Sequence, residues 1–175
     1  MSRKVLVATE KPFASEAVDQ IREIFEGSGY ELALLEKYTE KKELLDAAAS
    51  ADALIIRSDK VDAEVLSAAP GLKIVVRAGA GYDNIDCAAA KEKGVVAMNT
   101  PGQNSNAVAE LVFAMMLYRA RNFFTPKAGS ELRMKSIGIH AYGNVGHYVA
   151  QIAKGFGMTV LAYDPFVKKE VMEKG

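Results

Sequence analysis

Two glycines and a later acid form the part of this sequence best suited to hold a nucleotide. Gly143 and Gly146 lie between a short apolar run, which predicts a strand, and a periodic apolar pattern, which predicts a helix. A second apolar run ends at Asp164. Strand, glycine turn, helix, strand and acid follow one another in this order in dinucleotide-binding βαβ units. The pattern therefore predicts nucleotide binding.

Each part of that unit has a chemical task. Gly143 would let the backbone approach a pyrophosphate, Gly146 would let the helix pack close to the strand, and the first N–H groups of the helix would bind phosphates. Asp164 would accept hydrogen bonds from a ribose diol. The first glycine position holds Ala141, so we expect a less tight turn. The alternative is an ordinary βαβ turn whose glycines serve only packing.

A second group of polar residues follows three predicted strands of the N-terminal part. Arg57 and Ser58 follow the third strand, the segment RAGAG (residues 77–81) follows the fourth, and Asn99 and Asn104 follow the fifth. Ligands of open parallel sheets bind outside the carboxyl ends of the strands. Arginine forks suit carboxylate and phosphate groups, and consecutive backbone N–H groups suit a carboxylate. We therefore predict a small polyanionic ligand.

Structural explanations of the same residues remain open at this stage. Arg57 could simply pair with Asp59 or Asp83, and the glycine segment could be only a tight turn. Asn104 or Ser105 could cap the helix that follows.

Short apolar runs alternate with helical patterns throughout the first hundred residues. This alternation predicts a parallel sheet covered on both faces, and five strands indicate a flavodoxin-like domain over residues 1–100. The predicted strands are residues 4–9, 30–35, 53–57, 73–77 and 95–98.

A long helix is predicted over residues 105–122, and its apolar side chains cover more than one face. Such a helix must be buried against two partners, here a second domain and a second copy of the chain. Residues 101–124 are thus interpreted as a linking and dimerisation helix, and residues 125–175 as a partial Rossmann domain. The fold class is α/β: a flavodoxin-like parallel sheet domain, then the first βαβ unit of a Rossmann domain.

Composition excludes several classes of function. The net charge is zero, so no basic surface is indicated for nucleic acid or an anionic membrane. No apolar run has membrane-spanning length. The single cysteine, Cys87, excludes an internal disulfide and favours a reducing, cytoplasmic setting.

Several motifs together resemble the D-2-hydroxyacid dehydrogenase family, and most of all its phosphoglycerate-oxidising branch. The motifs are KVLVATEKP (4–12), RAGAGYDNID (77–86), MNTPGQNS (98–105), VAEL (108–111), GNVG (143–146) and AYDP (162–165). The resemblance implies two domains. The substrate domain is formed by the N-terminal part of the family's chain and completed by its C-terminal segment. The NAD domain lies between these two parts of the chain, connected by a long helix that also forms the dimer contact. It implies NAD-dependent hydride transfer from C2 of 3-phosphoglycerate, a step of serine biosynthesis.

The resemblance also implies roles for individual residues. One set of residues would bind the phosphate and carboxylate of 3-phosphoglycerate with side chains and with backbone N–H groups. A second set of residues would contact NAD. Asp164 would favour NAD over NADP, because a carboxylate repels a 2′-phosphate. The implied substrate residues are Arg57, Ser58, Arg77 and Asn104, with the backbone of Ala78 and Gly79. The implied NAD residues are Ala80, Asn144, Val145 and Asp164, together with Gly143 and Gly146, the two fingerprint glycines of the nucleotide-binding turn.

Departures from the family pattern limit this expectation. The family's catalytic arginine, glutamate and histidine come later than Gly175, and neither His140 nor His147 matches that histidine. We therefore expect the chain to be inactive alone and to bind NAD weakly or not at all. An alternative function is a non-catalytic fragment that serves in dimerisation or anion binding. A flavin-binding domain is disfavoured, since residues 9–12 (TEKP) stand where its phosphate loop would be.

Overall fold

The structure is a computed structural model that describes residues 3–174, and it divides into two compact units between Pro101 and Gly102. Within the described residues no helix combines the length and the apolar character needed to cross a bilayer. The same residues contain no group of three or more histidine, cysteine, aspartate or glutamate side chains placed to hold a metal ion.

The first unit is a parallel five-stranded sheet in which the strands, counted along the chain, lie in the order 2-1-3-4-5. This is the strand order of flavodoxin-like folds, and it confirms the predicted class. The elements are β1 (Lys4–Thr9), α1 (Ser15–Phe25), β2 (Glu31–Glu36), α2 (Lys41–Ala48), β3 (Ala53–Ile56), α3 (Ala63–Ala68), β4 (Ile74–Arg77), α4 (Cys87–Glu92) and β5 (Val96–Asn99).

The core of this unit lies where the central strands meet the helices that follow them. Leu6, Leu54 and Val75 from three neighbouring strands form one buried cluster with Leu44 of α2 and Leu66 of α3. The strands are runs of Val, Leu, Ile and Ala because both sides of a central parallel strand are removed from water. The rigid sheet fixes the carboxyl ends of the strands side by side, and the candidate ligand residues follow these ends.

The second unit contains the long helix and one strand–helix–strand unit. Its elements are α5 (Ser105–Ala120), β6 (Ser136–His140), α6 (Asn144–Gly155), β7 (Thr159–Tyr163) and α7 (Lys169–Lys174). Strands β6 and β7 pair in parallel, as predicted for the first part of a Rossmann domain. Helix α7 has no counterpart among the elements predicted from the sequence.

Helix α5 is buried on one side and exposed on the other. Ala109 and Phe113 are buried, and the Phe113 ring stacks on Phe156 with centroids 5.1 Å apart. In contrast, Leu111 and Met115 are each 57% exposed. Within one chain α6 therefore covers one side of the helix, and the cover that a second copy would give the other side stays a prediction.

Candidate functional site

The two arginines predicted to bind an anion lie at the carboxyl ends of adjacent strands. Arg77 ends β4 opposite Ile56 of β3, and Arg57 comes next along the chain. The Nε of Arg77 donates to the main-chain carbonyl of Arg57 at 2.9 Å. Arg57 and Ser58 are exposed, and no carboxylate in residues 3–174 forms an ion pair with either guanidinium. Both cations thus remain available to an anionic ligand.

The suggested pairing of Arg57 with Asp59 is not an ion pair between side chains. The Asp59 carboxylate accepts the main-chain N–H of Arg57 at 3.2 Å, and the phenol of Tyr38 donates to it at 2.8 Å. Backbone and phenol donors occupy the carboxylate, so the Arg57 guanidinium is left to solvent.

The glycine segment after β4 offers backbone donors at positions other than those predicted. The N–H of Ala78 extends the β3–β4 ladder by donating to Ile56, and the N–H of Gly79 closes a tight turn onto the carbonyl two residues earlier, both at 2.8 Å. The N–H groups of Ala80 and Gly81 have no acceptor among the described residues. The free donors of this segment are therefore Ala80 and Gly81, and the ligand contacts implied for Ala78 and Gly79 stay a prediction.

Gly79 lies directly under the side chain of Arg77. A Cβ atom at this position would overlap the terminal atoms of the guanidinium. The Arg77 side chain can adopt this position only because residue 79 is glycine.

We expect Gly79→Ala to weaken anion binding without unfolding the first unit. The displaced group is the end of a flexible side chain, so the unfolding free energy should change by less than about 1 kcal/mol, whereas the affinity for the predicted polyanionic ligand should fall about tenfold. Thermal melts and calorimetric titrations measure the two effects. Gly71→Ala is the matched control, because its Cβ would find its nearest neighbour at 3.7 Å. Equal anion affinity in the two variants would contradict the role of Gly79.

The asparagines that follow β5 lie in different units. Asn99 Nδ2 donates to the carbonyl of Ala80 at 2.7 Å and so supports the glycine segment of the first unit. Asn104 precedes α5 in the second unit, is exposed and makes no capping hydrogen bond with its side chain. Asn104 thus holds the N-cap position with its backbone only, and its side-chain amide forms no hydrogen bond within the described residues.

The turn between β6 and α6 keeps the shape of a glycine turn despite its alanine. Ala141 has φ +87°, a conformation that favours glycine, so the expectation of a less tight turn is wrong. A Cβ at Gly146 would collide with the carbonyl oxygen of Ala141, which shows close packing of helix on turn. A Cβ at Gly143 would meet nothing within 4 Å. The open side at Gly143 has room for a ligand.

The first turn of α6 points free donors towards this open side. The earliest backbone bond of the helix runs from the N–H of His147 to the carbonyl of Gly143 at 2.9 Å. The N–H groups of Asn144, Val145 and Gly146 have no acceptor within residues 3–174. Free donors at the positive end of a helix dipole suit phosphate groups.

Asp164 follows β7 beside the same turn. Its carboxylate accepts the N–H of Tyr142 at 2.7 Å, of Phe166 at 2.8 Å and of Val167 at 3.2 Å. The bonds from Phe166 and then Tyr142 lower the pKa of Asp164, so the group is ionised at neutral pH. An ionised carboxylate has about four lone-pair positions, so it retains capacity for a ribose hydroxyl. The ribose contact itself stays a prediction.

Ala141→Gly is expected to stabilise the second unit. A positive φ costs a non-glycine residue about 1–2 kcal/mol, which exceeds the roughly 0.5–1 kcal/mol entropy cost of glycine. The same substitution at Ala162, in the regular strand β7, should destabilise the unit by about 1 kcal/mol. Thermal unfolding of the two variants measures these opposite signs. A loss of stability in both would show that Ala141 is not strained.

Known proteins share the sequence pattern of this chain. Residues 5–174 match the family described as D-isomer specific 2-hydroxyacid dehydrogenase, catalytic domain. The chain is 41% identical to D-3-phosphoglycerate dehydrogenase of Archaeoglobus fulgidus over 98% of this chain and 34% of that protein. It is 42% identical to hydroxypyruvate reductase of Thermotoga maritima over 77% of this chain and 49% of that protein.

A solved structure shows the same fold. The crystal structure of NAD⁺-bound 3-phosphoglycerate dehydrogenase from Entamoeba histolytica has a TM-score of 0.91 and 49% identity, covering 97% of this chain and 56% of that one. The chain thus spans about a third to about half of these relatives.

Proposed function

The chain belongs to the D-isomer specific 2-hydroxyacid dehydrogenase family, and from that premise we propose that it forms the substrate-binding part and the first nucleotide-binding unit of an NAD-dependent D-3-phosphoglycerate dehydrogenase. The observation that carries this proposal is the pair Arg57 and Arg77. Both residues lie at the carboxyl ends of adjacent strands, neither guanidinium has a carboxylate partner in the described chain, and the N–H groups of Ala80 and Gly81 in the segment after β4 are free. Such an edge suits a small acid that carries both phosphate and carboxylate.

The substrate is held by charge and by hydrogen bonds in this proposal. Arg57 and Arg77 bind its two anionic groups, and Ser58 donates its hydroxyl. The substrate contact that the family resemblance implies for Asn104 stays a prediction. NAD, when bound, would accept the hydride that leaves C2 of the substrate. The free N–H groups that open α6 bind its pyrophosphate, and Asp164 accepts from the adenosine ribose and disfavours NADP. The residues that the family uses as acid, base and electrophile are not in this chain, so we expect no turnover by the chain alone.

A second candidate substrate follows from the similarity to hydroxypyruvate reductase. Substrates of that kind have the carboxylate but no phosphate, and would need only one of the two arginines. Calorimetry with 3-phosphoglycerate and D-glycerate separates the candidates. We expect 3-phosphoglycerate to bind at least about tenfold more tightly, since a second charged contact contributes roughly 1.5–3 kcal/mol. Equal affinities would favour the reductase, and no binding of either would contradict the proposal.

The exposed side of α5 supports a homodimer. Val108, Leu111, Met115 and Tyr118 lie on one face of the helix and are all exposed in the single chain. A contiguous apolar helix face of this kind indicates a protein interface. Light scattering of the purified chain tests it, and a monomer at micromolar concentration would contradict the proposed dimer.

A further inference from the structure

Asp59 is a buried carboxylate at the carboxyl edge of the first sheet, and it is only 4% exposed. Its Oδ1 accepts the N–H of Glu10 at 2.7 Å and the phenol of Tyr38 at 2.8 Å, and its Oδ2 accepts the N–H of Arg57 at 3.2 Å. These three donors follow β1, β2 and β3 respectively. One carboxylate therefore joins three strand ends.

Further hydrogen bonds carry this connection across the other two strands. Asn84 Nδ2 donates to the main-chain carbonyl of Asp59 at 2.8 Å, and Arg77 Nε donates to the carbonyl of Arg57 at 2.9 Å, which links the segments after β3 and β4. Asn99, at the end of β5, bonds the glycine segment that follows β4. The carboxyl edge of all five strands is thus one continuous hydrogen-bonded network with Asp59 near its centre.

The backbone of Arg57 is held by this network on both its N–H and its carbonyl side. Its N–H is held by Asp59, and its carbonyl is held by the Nε of Arg77. The direction of that carbonyl sets the orientation of the Arg77 guanidinium over Gly79. Because only Nε bonds to the carbonyl, the two terminal nitrogens of Arg77 have no acceptor among residues 3–174. The carboxylate and the anion-binding arginine are therefore connected through one residue.

The phenol of Tyr38 is a donor that bonds to Asp59 over the whole physiological pH range. Tyr38 is buried, and its burial and then its hydrogen bond to Asp59 raise the pKa of the phenol. The phenol consequently stays protonated and donating at physiological pH. No cation in the described chain pairs with Asp59, so the position of this carboxylate is set by hydrogen bonds alone.

We propose that Asp59, supported by Tyr38, is a positioning residue for the anion site: it holds the Arg57 backbone so that Arg77 presents its two terminal nitrogens to the ligand. This role rests on the proposed function of the site. Asp59 itself is buried beneath the strand ends and makes no contact with the ligand.

The test is the solvent exchange of the Arg77 Nε–H proton, measured by NMR on the whole chain well below its melting temperature. In the unmodified chain the bond to Arg57 should slow this exchange. Asp59→Asn keeps the size of the side chain but removes a carboxylate acceptor, and exchange should become about tenfold faster, with a similar loss of affinity for 3-phosphoglycerate. Asp62→Asn is the matched control, because Asp62 lies in the same segment but caps α3 and lies outside the network.

The outcomes separate positioning from general stability and from the proposed function. A folded Asp59→Asn variant whose Arg77 exchange stays within about twofold of the unmodified chain would overturn the proposal. If that variant does not fold, Tyr38→Phe decides, because it removes one hydrogen bond and keeps the ring; faster Arg77 exchange supports the proposal and unchanged exchange overturns it. If the unmodified chain fails to bind 3-phosphoglycerate, the proposed function fails for this chain, yet the exchange measurement still decides whether Asp59 positions Arg77.

Discussion

Replacing Gly146 with alanine is expected to destabilise the strand–helix–strand unit severely. The added Cβ would collide with the carbonyl oxygen of Ala141 and would lie 3.2 Å from Cγ2 of Ile139. The oxygen belongs to the backbone, so it cannot rotate aside, and overpacking of this kind costs about 1–3 kcal/mol or more. A two-stranded sheet has little stability in reserve. Amide exchange resolved for β6, α6 and β7 should show the loss in this unit alone.

The matched control for this change is Gly143→Ala at the other fingerprint glycine. Gly143 has φ −79°, which any residue adopts, and its Cβ would meet nothing within 4 Å. Stability should therefore stay within about 0.5 kcal/mol. In a helix, alanine is more favourable than glycine by about 1 kcal/mol. The unfolding free energy lost in Gly146→Ala is therefore a lower limit for the cost of the collision. Equal stability of the two variants would show that the helix does not pack tightly on the turn.

The strands of both units were predictable because they are short apolar runs bounded by polar residues. The first strand, Lys4–Thr9, begins and ends where the sequence pattern placed it, and the last, Thr159–Tyr163, ends directly before Asp164 as predicted. Helix α7 was missed because it carries only Val171 and Met172 as apolar residues, too few to show a helical period. The apolar residues of α5 indicated that more than one of its faces packs against protein. The sequence pattern does not tell which face packs against the same chain.

The candidate site was predictable in position but not in its hydrogen bonds. Parallel strands bring their carboxyl ends to one edge, so the proximity of Arg57 and Arg77 follows from topology. The partner of Asp59 does not, because Tyr38 reaches it from the segment after another strand. Sequence spacing favoured the neighbouring arginine instead. Likewise, the ladder between β3 and β4 continues one residue further than its assigned strands and occupies the N–H of Ala78, while a tight turn onto Arg77 occupies the N–H of Gly79. The free donors are therefore those of Ala80 and Gly81.

The largest effect on ligand binding is expected at Arg77. Its Nε is already bonded to the Arg57 carbonyl, so its anchoring and its ligand contacts use different nitrogens of one planar fork. Arg77→Lys keeps the charge, but a single ammonium cannot hold the anchor and bind the anion in this geometry. We therefore expect affinity for 3-phosphoglycerate to fall about ten- to a hundredfold in Arg77→Lys and at least as far in Arg77→Ala.

The comparison of these two variants identifies what the site recognises. Calorimetry at low and high salt measures both variants, with Arg22→Lys on helix α1 as the control because that exposed arginine lies outside the site. If charge alone bound the ligand, Arg77→Lys would bind within about twofold of the unmodified chain and lose affinity steeply with salt. A large loss in Arg77→Lys at low salt instead shows that the fork geometry selects the anion. The Arg57 carbonyl holds the Arg77 guanidinium in place. Anion recognition then depends on this hydrogen bond between two neighbouring strand ends as well as on the charges of the arginines.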